Sequence, residues 1–220
     1  VALTTFLARA IALGVRFMER KLTFFTSDWH LGHANAIKFD SRPFKDLAHM
    51  HKVLINNYNS TVLPEAICYF LGDVGLCKAE IIKSIIDQLN GTKVLILGNH
   101  DRNLNYMYKL GFDVVLHGAT LVIAGQRVTL SHCPLKGIKR EDTEGMRGAE
   151  SKDNWHGEKK NHLFSTENCG QFHLHGHIHS PNSGKSVKIL DKQRDVGVVA
   201  NNYRPVSISE IESWISKYKA

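Results

Sequence analysis

Lys93-Val-Leu-Ile-Leu-Gly-Asn-His-Asp101 is a short aliphatic run that stops at a glycine and delivers three polar side chains. A buried strand that ends this way presents its chemistry at its carboxyl end. The pattern recurs along the chain. Leu22-Thr-Phe-Phe-Thr26 leads to Asp28 and His30, and Ala66-Ile-Cys-Tyr-Phe-Leu71 runs into Gly72-Asp73. Arg127–Leu130 ends at Ser131-His132, and Gln171–Leu174 runs into His175-Gly-His-Ile-His179.

The intervening segments read as helices. Leu47, Met50, Leu54 and Tyr58 share a 3.6-residue period, and a second helix is expected to bury Ile81, Ile82, Ile85, Ile86 and Leu89 before the Asn90-Gly91 stop. A short helix is expected around Asn103–Leu110. Phe112–Leu116, Thr120–Ile123 and Arg127–Leu130 follow as strands, the last two joined at Ala124-Gly125. Further strands are expected near Ser186–Leu190 and Val196–Ala200. A terminal helix begins at Ser207 or Ser209, each an S-x-x-E capping box, and points Ile211, Trp214, Ile215 and Tyr218 inward.

A chain of 220 residues fits one α/β domain, placed here at residues 18–220. Residues 1–17 are expected to be an extension, non-native or a short helix; Arg9 interrupts their apolar run, which is shorter than the roughly 20 residues of a membrane span. No membrane partner is expected. Residues 134–170 form a long polar, Gly-rich loop with Trp155 among charges, read as a lid or a solvated insertion. The formal charge of +7 favours anionic partners: phosphate esters, nucleotides or nucleic acid. The four cysteines have no C-x-x-C or finger spacing, so free thiols and a reducing, cytoplasmic setting are expected.

The 13 histidines carry more information, because several cluster with aspartates at strand ends. In open α/β sheets, ligands bind beyond the carboxyl ends of the strands. Carboxylate, amide and imidazole donors together suit Zn²⁺, Mn²⁺ or Fe and argue against a soft thiolate site. The strand ends offer seven candidate ligands, too many for one ion. Two ions sharing a carboxylate fit the count.

In its ordered motifs D-x-H, G-D, G-N-H-D, H and G-H-x-H, the chain resembles the calcineurin-like dinuclear metallophosphoesterase superfamily, notably its small bacterial and phage-type members. The resemblance spans roughly residues 22–212. It implies an α/β fold of two β-sheets in a sandwich flanked by helices, a four-layer architecture. It implies one ion held by Asp28, His30 and His179, a second by Asn99, His132 and His177, and Asp73 between them. His100 becomes the acid that protonates the leaving group, oriented by Asp101. Mn²⁺ is the expected cofactor, with Fe, Zn²⁺, Ni²⁺ or Co²⁺ as alternatives. His33, Arg42 and Arg102 are candidate phosphate contacts, with a surface or supporting position as the alternative for each, and Asn201-Asn202-Tyr203-Arg204-Pro205 resembles a segment recurring in these members.

The activity implied is hydrolysis of phosphoesters by a metal-bridging hydroxide, foremost as a phosphomonoesterase on small substrates such as nucleoside monophosphates. The alternative is a phosphodiesterase or nuclease acting on cyclic nucleotides or nucleic acid, a single strand of which the basic loop and Trp155 would suit. A non-catalytic scaffold is the remote alternative, disfavoured because every ligand and His100 are intact.

Overall fold

β1 (Thr23–Thr26), β2 (Ile67–Phe70), β3 (Thr92–Ile96) and β4 (Val114–Leu116) lie side by side and parallel in the computed structural model, which describes residues 22–135, 171–179 and 192–218. Parallel neighbours need crossovers. These contain α1 (Ala34–Phe39), α2 (Leu47–Asn59), α3 (Ala79–Ile86) and α4 (Leu104–Lys109). β9 (Val206–Ser207) closes the sheet against β1, antiparallel, in the order β4-β3-β2-β1-β9. A second mixed sheet has the order β5-β6-β7-β8, from β5 (Ala119–Ile123), β6 (Gln126–Leu130), β7 (Phe172–His175) and β8 (Gln193–Asp195).

Side chains alternate across a strand, and here both faces of the first sheet are covered. Phe24, Phe70 and Leu95 join a core with Met50, Leu54, Tyr58, Ile82 and Ile86 from the helices. Phe25, Leu71 and Ile96 face the other way, into a core shared with Val128, Leu130 and Leu174 of the second sheet. Ile208, Ile211 and Ile215 of α5 (Ile208–Ser216) complete it. The protein is therefore α/β with two mixed sheets sharing a core, an arrangement compatible with a sandwich.

Capping follows the local sequence. Asp46 accepts the His49 amide at 2.8 Å to start α2, and Asn103 accepts from Tyr106 at 3.0 Å to start α4. Ser207, rather than Ser209, opens α5, with the reciprocal capping box to Glu210. Arg204 adds an ion pair to Glu210 at 2.9 Å. The Asn201–Pro205 segment braces this region: Asn201 donates to the carbonyls of Asp195 and Gly197, and the Tyr203 carbonyl accepts from Asn57 of α2.

Three expectations change. Ile81 is 43% exposed, because it sits at the margin of the stripe centred on Ile82, Ile85, Ile86 and Leu89. Tyr218 is 42% exposed at the end of the last turn. The strand expected at Val196–Ala200 lies earlier, at Gln193–Asp195, in register with His173–His175. Past Asp195 pairing continues only as single contacts, Val196 donating to the His175 carbonyl at 2.8 Å and Val198 to that of Ser27 at 3.0 Å, while Val196, Val198 and Val199 are buried. α1 and β9 carry no signal read in the sequence. Residues 1–17, most of the 134–170 loop, Cys169 and the strand expected near Ser186–Leu190 lie outside the described residues. Among those described, no helix is long and apolar enough to cross a membrane, and Cys68, Cys77 and Cys133 are free thiols.

Candidate metal centre

The strand register builds the site. Thr26 is opposite Phe70, and Phe70 opposite Leu95, so three carboxyl ends are level. Two to four residues further on stand Asp28, Asp73 and Asn99. Leu130 is opposite Leu174 in the second sheet, which places His132 and His177 at its matching edge. The loops are then stitched together: the amides of Asp28 and His30 donate to the carbonyls of Gly72 and Asp73, both at 3.1 Å. His132 Nδ1 donates to the Leu71 carbonyl at 2.6 Å, joining the two sheets. That bond fixes the tautomer, leaving Nε2 to face the site.

Two groups of donor atoms converge. Nε2 of His30 and Nε2 of His179 are 3.1 Å apart, and Asp28 Oδ1 is 3.3 Å from the latter. In the second group Asn99 Oδ1 lies 2.9 Å from His132 Nε2 and 3.1 Å from His177 Nδ1. Asp73 Oδ2 stands between the groups, 3.7 Å from His30 Nε2 and 3.4 Å from His132 Nε2.

These residues fit divalent cations. Ligand atoms about 2.1 Å from a shared ion stand about 3.0 to 3.4 Å apart at octahedral or tetrahedral angles, the spacing found within each group. Asp28, His30 and His179 form one set of atoms able to hold an ion, and Asp28, Asp73 and His132 another. His132, Cys133 and His177 form a third. Cys133 was set aside in the sequence reading; burial pushes its thiol up, so it faces the site protonated.

Backbone strain concentrates on the same residues. Asp28, His30, Asp73, His177 and His179 have φ of 60°, 50°, 54°, 70° and 49°. Left-handed backbone is costly for side chains of this kind, and surrounding contacts must hold it. Close approach is the second device. A Cβ on Gly98 would strike the Asp73 carboxylate, and one on Gly176 would strike Ser27 and Asp28.

The electrostatics show what the ligand set needs. Burial pushes the Asp28 carboxyl up, but His179 beside it prevails and holds it well below the usual range. Burial also opposes Asp73, where His132 foremost holds the carboxyl low. Burial lowers His30 to about 3 and His177 to about 4. It works against His179 as well, yet Asp28 and Asp40 raise that imidazole to about 10. Protons on His132 and His179 thus balance the two carboxylates, in positions where cations would do so.

His100 lies at the rim. Its side chain is 25% exposed, Nε2 is 3.9 Å from Asp73 Oδ2, and its amide donates to Asp73 Oδ1 at 3.0 Å. Its ring stands 5.8 Å from that of His30. His33 is also close, its ring 5.8 Å from His30 and 6.5 Å from Phe39. Arg102 is exposed and lies over the Tyr106 ring at 4.7 Å. His175 is fully buried, its Nδ1 2.9 Å from the Gly176 carbonyl.

Two residues gain structural partners that the sequence does not show. Arg42, read as a phosphate contact or else as a surface or supporting residue, takes the supporting place: its side chain is fully buried and donates to Asp40 and to the carbonyls of Asp28 and Trp29. Asp101, read as orienting His100, also ties two loops together. Its carboxylate accepts the amides of Asp73, Val74 and Gly98 at 2.9, 3.0 and 2.8 Å, and so joins the loops after β2 and β3. Burial and then the Asp73 charge push this carboxyl up to about 6, against the pull of those amides. Asp40 was missed altogether, since nothing local distinguishes it from a turn aspartate.

No family model matches the chain. It is 30% identical over 206 residues to the uncharacterized protein MJ1445 of Methanocaldococcus jannaschii, a match covering 92% of this chain and 96% of that one. It is similar to the crystal structure of AQ665 from Aquifex aeolicus, a protein of unknown function, with a TM-score of 0.63 and 27% identity over 87% of this chain and 98% of that one. The phosphoesterase Yfce from E. coli gives a TM-score of 0.40 at 14% identity, over 84% of this chain and 81% of that one.

Proposed function

The chain belongs to one family with MJ1445 of Methanocaldococcus jannaschii, and we propose that it is a phosphoesterase with two divalent cations, foremost a phosphomonoesterase on small substrates such as nucleoside monophosphates. One observation carries the reading. Asp73 Oδ2 stands between two convergent donor groups, with the His100 imidazole 3.9 Å away on the open side. Cations bound there would neutralise a phosphate dianion and lower the pKa of an attacking water.

The remaining steps belong to the side chains. Asn99 contributes a neutral oxygen, which keeps the second group from repelling an anion. His100, on the solvent side of Asp73, protonates the departing oxygen, as imidazole does best near neutral pH. The Asp101 carboxylate keeps the loop carrying Asn99 and His100 against the loop carrying Asp73. His33 lines the approach. Beyond it Phe39 is 59% exposed, a ring on which a nucleobase would stack.

A hydrolysis screen with Mn²⁺ tests this, using paired aryl phosphomonoester and phosphodiester substrates with a panel of nucleoside monophosphates. Preference for monoesters, with Phe39→Ala raising KM for nucleotides more than for alkyl phosphates that carry no aromatic ring, is the expected result. Preference for diesters replaces the monoesterase reading. Two bound cations with no hydrolysis of any ester leaves a scaffold.

A further inference from the structure

The end of α1 holds a buried charged pair that touches one ligand group from behind. Asp40 Oδ1 accepts from His179 Nδ1 at 2.9 Å. Its other oxygen takes Arg42 Nε at 2.9 Å and Nη2 at 2.8 Å. The same guanidinium donates to the carbonyls of Trp29 and Asp28, each at 3.1 Å. Ser41 between the two has φ 49°, a left-handed turn that brings both side chains to the same place.

Stability alone is a poor reason for this pair. Replacing a buried ion pair by packed apolar groups is often neutral or stabilising. What the pair does is geometric. Asp28 and His30 sit in left-handed backbone that must be held by its surroundings, and Arg42 grips the carbonyl of Asp28 and the one after it. Asp40 fixes His179 with Nδ1–H outward and Nε2 toward the site. A carboxylate behind a ligating histidine sets its tautomer and strengthens it as a donor. No bond from Asp40 or Arg42 reaches Asn99, His132 or His177 among the described residues.

We propose that Asp40 and Arg42 are positioning residues for one cation alone, the one facing Asp28, His30 and His179, so that they set the occupancy of that position and not of its neighbour. This rests on the two-cation reading above. Asp40→Asn is the sharper variant, because it keeps the shape. An amide that accepts from Arg42 must donate to His179 Nδ1, which moves the imidazole proton onto Nε2 and blocks that donor.

The experiment titrates the metal-free full chain with Mn²⁺ by calorimetry and follows the Mn²⁺ paramagnetic resonance spectrum. Unaltered protein should take up two ions and show an exchange-coupled pair. Asp40→Asn and Arg42→Lys should each weaken one ion by about 10- to 100-fold, leave the other unchanged, and replace the coupled spectrum with that of an isolated ion. Asp40→Glu should recover part of the loss. Equal weakening of both ions, or of neither, overturns the proposal while leaving the two-cation reading in place. Fewer than two ions in unaltered protein overturns that reading first, and the proposal with it.

Discussion

The carboxylate of Asp101 accepts the backbone amide of Asp73 at 2.9 Å, so one buried acid holds the main chain that presents another. The amides of Val74 and Gly98 donate to the same carboxylate. The site's central carboxylate is thereby aimed from its neighbour strand.

Asp101→Ala therefore acts on the fold as well as on the chemistry. It strands three buried amides, each costing about 1–3 kcal/mol, so a loss of at least about 3 kcal/mol is expected in denaturant unfolding of the metal-free protein. Unchanged stability with lost turnover would return Asp101 to a role on His100.

His100 can be separated from binding. His100→Asn should leave cation content and stability intact while slowing hydrolysis of alkyl phosphates by about 10²–10⁴-fold. An activated aryl ester, whose phenolate departs without a proton, should lose far less. Equal losses on both substrates rule out a proton donor here.

Asp73 faces both donor groups, and Asp73→Asn should lower occupancy and activity together. Metal analysis after dialysis reads the first and turnover the second. Full activity in this variant would refute a shared carboxylate.

Cation uptake should release protons. Asp28 and Asp40, overcoming burial, raise His179 to about 10, so its ring is charged at neutral pH and a cation must displace that proton. Titrations at pH 7 in two buffers of different ionisation enthalpy should show net release, falling away as pH approaches 10. No release at pH 7 would mean that His179 does not bind the ion.

At the far end of the fold, α5 has its own pH dependence. The hydrogen bond from Arg204, opposed by burial and aided by Ser207, lowers Glu210 from 4.5 to about 2. A depressed acid stabilises above its unfolded pKa, so this contribution is complete above about pH 4.5 and is lost as pH falls through 2. Glu210→Gln should flatten thermal stability across that window. Ser207→Ala should cost about 1 kcal/mol at neutral pH.

The residues that converge at the candidate metal centre were legible in the sequence because each sits at the end of an apolar run, and such runs are local. Chain order supplied Asp28, His30, Asp73, Asn99, His132, His177 and His179, and 3.6-residue periods supplied α2 and most of α3. Other features depend on distant partners. Register across the two sheets decides that Asn99 meets His132 and His177, while His30 meets His179. Arg42 reads as a surface cation until its acceptors, carbonyls 13 and 14 residues away, are in place. Gln193–Asp195 takes the strand that Val196–Ala200 advertises because backbone pairing with β7 is a long-range choice and hydrophobicity is not. Side-chain chemistry at a strand end is written in consecutive residues; the direction in which a buried charge is spent is settled only where separate segments meet.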